Sequence, residues 1–146
     1  MTDSLTTIKV PVRSTDMNAD RRVNNALYFM YFQEARLAHL QRLGIIRTPR
    51  QPEDPNPFTI VANDARYFAP TVYPDTLEIT ARTDAVRTRS FILAYQAVRL
   101  SDGVQVAEGS SAQVWLEADG RAAPLPDAVR EALEGSLLPI GDSSNR

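Results

Sequence analysis

Apolar and polar residues alternate along Ile8-Lys9-Val10-Pro11-Val12-Arg13, the period of a half-buried strand, with Pro11 marking an edge or bulge. Ser14 to Arg22 is polar and rich in residues that hydrogen-bond their own backbone, which predicts a loop. From Asn24 to about Leu43 the period turns helical, with Asn24 or Asn25 as N-cap and Gly44 as the stop. Its apolar residues, among them Leu27, Phe29, Met30, Phe32 and Leu40, spread around the circumference, so the helix is expected to be wrapped by other structure. Thr48 to Pro57 holds prolines at 49, 52, 55 and 57 and reads as an irregular connection, a candidate flexible lid or edge. The period of two then dominates in Phe58 to Phe68, Thr76 to Val86, Ser90 to Leu100 and Val104 to Glu117, separated by short turn signals. Four such runs predict an antiparallel meander. Leu125 to Leu133 fits a short helix entered through Pro126 and Asp127, and residues 141–146 are expected to be a disordered tail. The sum is one α+β domain over residues 1–140, an antiparallel β-sheet wrapped around one long central α-helix.

Composition narrows the chemistry more than the fold. A chain of 146 residues can bury a core without staples, and having no cysteine it has no disulfide, thiolate nucleophile or cysteine-based metal site. Neither the start of the chain nor any later segment offers the roughly 20 apolar residues of a membrane span, so a soluble cytoplasmic protein is expected. With a net charge of -2 and no long arginine cluster, nucleic acid is not an expected partner. A single histidine, His39, sits about four turns into the helix and is expected as a polar position on its surface. No carboxylate cluster suggests a metal, Ser110 and Ser111 lack a nucleophile-elbow context, and no cofactor is implied.

Three segments are recognisable together: Val12-Arg13-Ser14-Thr15-Asp16, Val23-Asn24-Asn25-Ala26-Leu27-Tyr28 and Phe32-Gln33-Glu34-Ala35-Arg36. With Tyr67-Phe68-Ala69-Pro70 and Asp75 they resemble the 4-hydroxybenzoyl-CoA thioesterase-like family of hotdog proteins. The resemblance implies a hotdog fold, hydrolysis of an acyl-CoA or acyl-carrier-protein thioester, and a homodimer or homotetramer with the acyl tunnel at a subunit interface. In that family a loop of the form Asp-x-Asp-x-x-Gly-His-Val-Asn-Asn leads into the helix, and its second aspartate commonly serves as catalytic carboxylate. Here Asp16 holds the first position, Asn18 replaces the second, and Arg21 and Arg22 stand where glycine and histidine are frequent. A branch of hotdog thioesterases in enediyne biosynthesis also lacks the acid and relies on asparagine, tyrosine and arginine. Its pattern maps onto Asn18, Tyr28 and Arg36.

Thioester hydrolysis needs a donor for the oxyanion and a positioned water. Unpaired N–H groups at a helix start can supply the donor, which singles out Asn25 and Ala26, while Asn24 and Asn25 equally fit ordinary capping. An asparagine amide cannot take up a proton at neutral pH, but Asn18 can still orient a water. Asp16 is the nearest carboxylate, with local backbone hydrogen bonding as its other role. Glu34 is expected to find a structural ion pair, and Asp64 to face solvent or a neighbouring subunit. Arg87 and Arg89, beside a turn between two strands, could meet the phosphates of a CoA or pantetheine arm. A non-catalytic hotdog protein that binds an acyl-CoA-type ligand is the alternative.

Overall fold

The computed structural model describes residues 4–47, 49, 51–53 and 57–138. Part of the proline-rich connection and the whole of the expected C-terminal tail lie outside them. Five strands form one antiparallel sheet: β1 (Leu5–Pro11), β2 (Phe58–Tyr67), β3 (Thr76–Val86), β4 (Ser90–Arg99) and β5 (Gln105–Trp115). Helix α1 (Leu27–Arg42) and helix α2 (Asp127–Gly135) complete an α+β fold.

The sheet order is β1-β3-β4-β5-β2. The expected meander therefore holds for β3, β4 and β5 only. Strand β2 pairs with β5, not with its sequence neighbour β3, and the eight residues 68–75 cross the end of the sheet between them. Three strand spacings of about 4.8 Å must be bridged, well within the reach of eight extended residues. Both β1 and β2 are edges, and β2 is exposed through 61–64.

Helix α1 lies on the sheet against β1, β3, β4 and β2. Its segment contains no Gly, Pro, Val, Ile or Thr, so nothing in it resists helical χ1 or φ. It stops in a Schellman motif. Gly44 takes φ +77°, its N–H donates to the Gln41 carbonyl, and the Ile45 N–H donates to that of Leu40. Tyr28, Tyr31, Phe32, Ala35, Arg36, His39 and Leu40 are buried, while Phe29 and Met30 on the opposite side are exposed. Within one chain the helix, sixteen residues long, is thus covered along a stripe and not around its circumference.

Strands β3 and β4 present Leu77, Ile79, Ala81, Phe91, Leu93 and Ala97 as fully buried core, each large side chain contributing about 2 kcal/mol by leaving water. Phe32 stacks on Tyr95 with ring centroids 5.0 Å apart and planes within 9°. The helix comes this close because β5 has a glycine below it. A Cβ at Gly109 would stand 2.6 Å from the Asp64 carbonyl oxygen and 2.7 Å from the Phe32 ring.

His39 departs from expectation. It is fully buried, its Nδ1 2.7 Å from Thr6 Oγ1 and its Nε2 2.9 Å from Thr83 Oγ1. Arg42 Nε donates to the same Thr6 oxygen, Thr83 pairs with Ser136 Oγ, and Ser136 donates to the Leu133 carbonyl. One orientation serves every group in this column: Thr6 donates to Nδ1, and Nε2–H donates to Thr83. The i, i+4 spacing with Ala35 and Leu40 nearby placed this residue on the packed stripe, and two threonines make that position tolerable.

Burial, reinforced by the Arg42 charge, lowers the His39 pKa to about 4 from its ordinary 6.5. The unfolded chain therefore takes up this proton first as pH falls. Stability is full above the ordinary value and drops by about 3 kcal/mol between about pH 7 and about pH 4. Urea denaturation across that window should show this loss in the wild type and a shallower slope in His39→Gln; equal slopes would assign the acid sensitivity to carboxylates.

Candidate active site

The loop between β1 and α1 is built from two local turns. In the first, Ser14–Asp16 forms a single 3-10 turn, and the Asp16 carboxylate folds back onto Arg13. In the second, Met17 and Val23 pair as a bridge, the Asn18 N–H donates to the Arg22 carbonyl, and the Arg21 N–H donates to the Asn18 carbonyl. Closing this small hairpin requires a left-handed residue, and Arg21 takes φ +66°. That is the position where the family loop often has glycine. The loop keeps its turn with arginine there, at the cost of about 1 kcal/mol of backbone strain.

Asp16 is buried, 3% exposed, and both carboxylate oxygens are engaged. Oδ2 accepts from the Arg13 N–H and the Tyr31 hydroxyl, both at 2.9 Å, and Oδ1 accepts from Arg13 Nη2 at 3.2 Å. Burial pushes its pKa up, but these three donors and the Arg13 charge outweigh it and hold the carboxyl below the usual range. Burial, reinforced by the same contact, raises the Tyr31 phenol. A carboxylate so engaged is a poor proton acceptor and a good anchor. The backbone carbonyl of Asp16 accepts from the Asn24 N–H, which ties the loop to the helix start.

At that start the helix begins later than Asn24. Asn24 Oδ1 accepts from the Ala26 N–H at 2.9 Å, the Leu27 N–H bonds the Asn24 carbonyl, and the Tyr28 N–H bonds the Asn25 carbonyl. Asn24 thus caps the first turn, and the Ala26 donor is already taken. Among the described residues, the Asn25 N–H is the donor of this turn left with no protein acceptor, at an exposed position.

The crossing segment 68–75 forms the other wall. The Val23 N–H donates to the Thr71 carbonyl, the Val12 N–H to that of Asp75, the Tyr28 hydroxyl to Thr71 Oγ1 at 2.9 Å, and the Tyr67 hydroxyl to the Asn25 carbonyl at 3.0 Å. Burial raises the Tyr28 phenol, so it stays protonated as a donor. Arg99 braces this wall by donating to the Pro70 carbonyl at 2.5 Å while paired with Asp102. Tyr67, Phe68, Val72 and Tyr73 are at least 38% exposed beside it.

Asn18, Asp16, Asn24, Asn25, Ala26 and Tyr28 are therefore gathered in one place, with the Asn18 side chain exposed. Arg36 stands apart, eight residues beyond Tyr28 and so about 12 Å along the helix axis. Arg87 and Arg89 are exposed in the β3–β4 turn, at the opposite end of β3 from Asp75. Glu34 is exposed and makes no ion pair among the described residues, and Asp64 on β2 accepts from the Ser110 hydroxyl at 2.7 Å. Tyr31 and Thr71 escaped sequence reading. The only signal for Tyr31 was its i+3 spacing from Tyr28, and Thr71 lay in what read as a plain turn. Among the described residues no group of three or more acidic or histidine side chains is gathered that could hold a metal ion, and no helix is long and apolar enough to cross a membrane.

The profile of the thioesterase-like superfamily matches residues 12–133. The PA2801 protein of Pseudomonas aeruginosa superposes with a TM-score of 0.73 at 33% identity, covering 86% of this chain and 95% of that one. A Thermus thermophilus thioesterase complexed with coenzyme A and Zn gives a TM-score of 0.76 at 26% identity, over 91% and 94% of the two chains. A gentisyl-coenzyme A thioesterase gives 0.76 at 25% identity, over 86% and 99%.

The strain at Arg21 can be measured. Arg21→Gly should raise stability by about 0.5 to 1 kcal/mol, whereas Arg21→Ala, which removes the same charge, should not. Equal thermal shifts in the two variants would locate the effect in the side chain.

Proposed function

The chain belongs to the thioesterase-like superfamily, and on that premise we propose that it hydrolyses an acyl-CoA or acyl-carrier-protein thioester at the loop in front of α1. The observation that carries the reading is the open Asn25 N–H at the positive end of the helix, which follows the short hairpin that holds exposed Asn18. In this reading the Asn25 N–H holds the thioester oxygen as it becomes an oxyanion, and Asn18 orients the attacking water. A preorganised donor of this kind contributes roughly 3 to 4 kcal/mol to the transition state. The C–S bond breaks to release a thiolate, the water's oxygen stays on the acid, and its proton passes to solvent or to the thiolate. Tyr28 acts as a neutral donor that shapes the floor through Thr71. Asp16 holds the loop in position and does not collect the proton.

A homodimer through β2 fits the same reading. This edge strand leaves one row of N–H and C=O groups unpaired in the single chain, and exposed Phe29, Met30 and Val61 lie uncovered. Antiparallel pairing of two copies about the middle of β2 would set Phe58–Ile60 of one opposite Ala65–Tyr67 of the other. Tyr67 touches the loop at Asn25, and the Arg89 carbonyl bonds Trp115, the β5 partner of Phe58. The Arg87–Arg89 turn of one copy would thus come toward the loop of the other, where it could meet the phosphates of the thiol carrier.

Thiol release from aromatic, short-chain and long-chain acyl-CoAs tests the activity. The wild type should turn over at least one class, and Asn18→Ala should lose at least tenfold, about 1.4 kcal/mol of transition-state stabilisation. An inert wild type, with hydrolysis only in Asn18→Asp, would mean instead a binding protein without its catalytic carboxylate. The dimer is tested separately. Sedimentation of Val61→Lys should give half the wild-type mass and at least a tenfold loss in kcat/KM; an unchanged mass would place the interface elsewhere.

A further inference from the structure

Arg36 is buried, 7% exposed, and no carboxylate lies beside it among the described residues. Its one hydrogen bond runs from Nη1 to the Tyr95 hydroxyl at 3.5 Å. That hydroxyl stays neutral, since burial pushes the phenol up. It donates a hydrogen bond to Ser111 Oγ, Ser111 donates to Gln113 Oε1, and Gln113 Nε2 donates to the Phe91 carbonyl. The network ends on a neutral carbonyl, so nothing in it balances the guanidinium. A guanidinium does not shed its charge, and a buried charge without a counter-ion costs several kcal/mol.

The unused donors have somewhere to point. Arginine offers five N–H groups, and among the described residues the one side-chain polar atom that is both sealed from solvent and unbonded is Gln105 Nε2. The other Arg36 nitrogens therefore reach open space. That space is a groove of about 440 Å³ between α1 and the start of β2, with Gln33 beside Arg36 and apolar surface from Leu37, Ile46, Phe58 and Ile60. The volume is that of a small-molecule cleft, and its wall is mixed: Gln33, Thr59 and Arg36 supply polar surface about equal to the apolar surface of the other side chains.

We propose that this groove is a carboxylate-binding subsite: Arg36 pairs with the carboxylate of an amphipathic acid whose apolar body lies along Leu37, Ile46, Phe58 and Ile60. Two sources offer this chemistry, a second carboxylate at the far end of the acyl thioester or a free carboxylic acid. The first rests on the thioesterase reading, in which Phe58–Ile60 of one copy adjoins the loop of the other.

Titration calorimetry with octanoate and octanamide isolates the charge. The wild type should bind octanoate at least ten times more tightly than octanamide, about 1.4 kcal/mol. Arg36→Met, which keeps most of the side-chain volume, should lose that preference, and Ile60→Trp, which fills the groove without touching the charge, should weaken both ligands. Equal affinity for the two ligands in the wild type, or a preference that survives Arg36→Met, overturns the proposal. Comparing kcat/KM for octanoyl-CoA and the CoA monothioester of octanedioic acid then separates the sources. A tenfold preference for the diacid thioester assigns the subsite to the substrate's far end, and a preference for octanoyl-CoA assigns it to a free acid. Octanoate selectivity that depends on Arg36, with no turnover of any thioester, would remove the thioesterase reading and leave the subsite standing.

Discussion

A carboxylate placed where water cannot reach must find donors, and the donors that Asp16 finds set the geometry of the whole front end of the molecule. One comes from the backbone just before it and one from Tyr31, a full turn into α1. Because its own carbonyl also receives the Asn24 N–H, the residue fixes the loop to the helix from both its side chain and its backbone. The exposed Asn18 hairpin and the open Asn25 N–H are held in register by that knot. Removing the carboxylate would leave the Tyr31 hydroxyl and the Arg13 N–H unsatisfied together, a cost well above that of one ordinary hydrogen bond.

Around this knot the chain divides its labour. The sheet and the Phe32–Tyr95 stack give rigidity, and Gly109 allows the helix to come down far enough for that stack to form. The crossing segment 68–75 supplies the second wall and is itself held by Arg99. The loop is therefore held by the helix and by this wall, and the wall by β4.

Much of the fold was legible because it rests on local pattern. The long strands with clean alternation and the glycine that ends α1 appear within a residue or two of where the sequence puts them. The order of strands was not, since the placement of β2 beside β5 depends on where a crossing segment can run and leaves no mark in periodicity. The burial of His39 was missed for a related reason: a polar residue on a packed stripe looks like surface until its partners, Thr6 and Thr83, are known to lie opposite. In the site, Asp16 and Asn24 are bonded to each other in front of the helix, while Arg36 lies about two turns further along it. The part played by Arg21 became clear only from the backbone, because a positive φ is visible in sequence when it falls on glycine and hidden when it falls on arginine.

The polar column through His39 also bears on the order in which the chain is made. Thr6, His39 and Thr83 all precede Ser136 in the chain, so synthesis adds the hydroxyl that finishes the column after the other three groups. Until that residue emerges, Thr83 has a hydrogen to give and no side chain to receive it. A nascent chain truncated before α2 therefore carries an unfinished interior beneath a complete sheet, and α2 serves as the lock on a core laid down by α1 and the sheet.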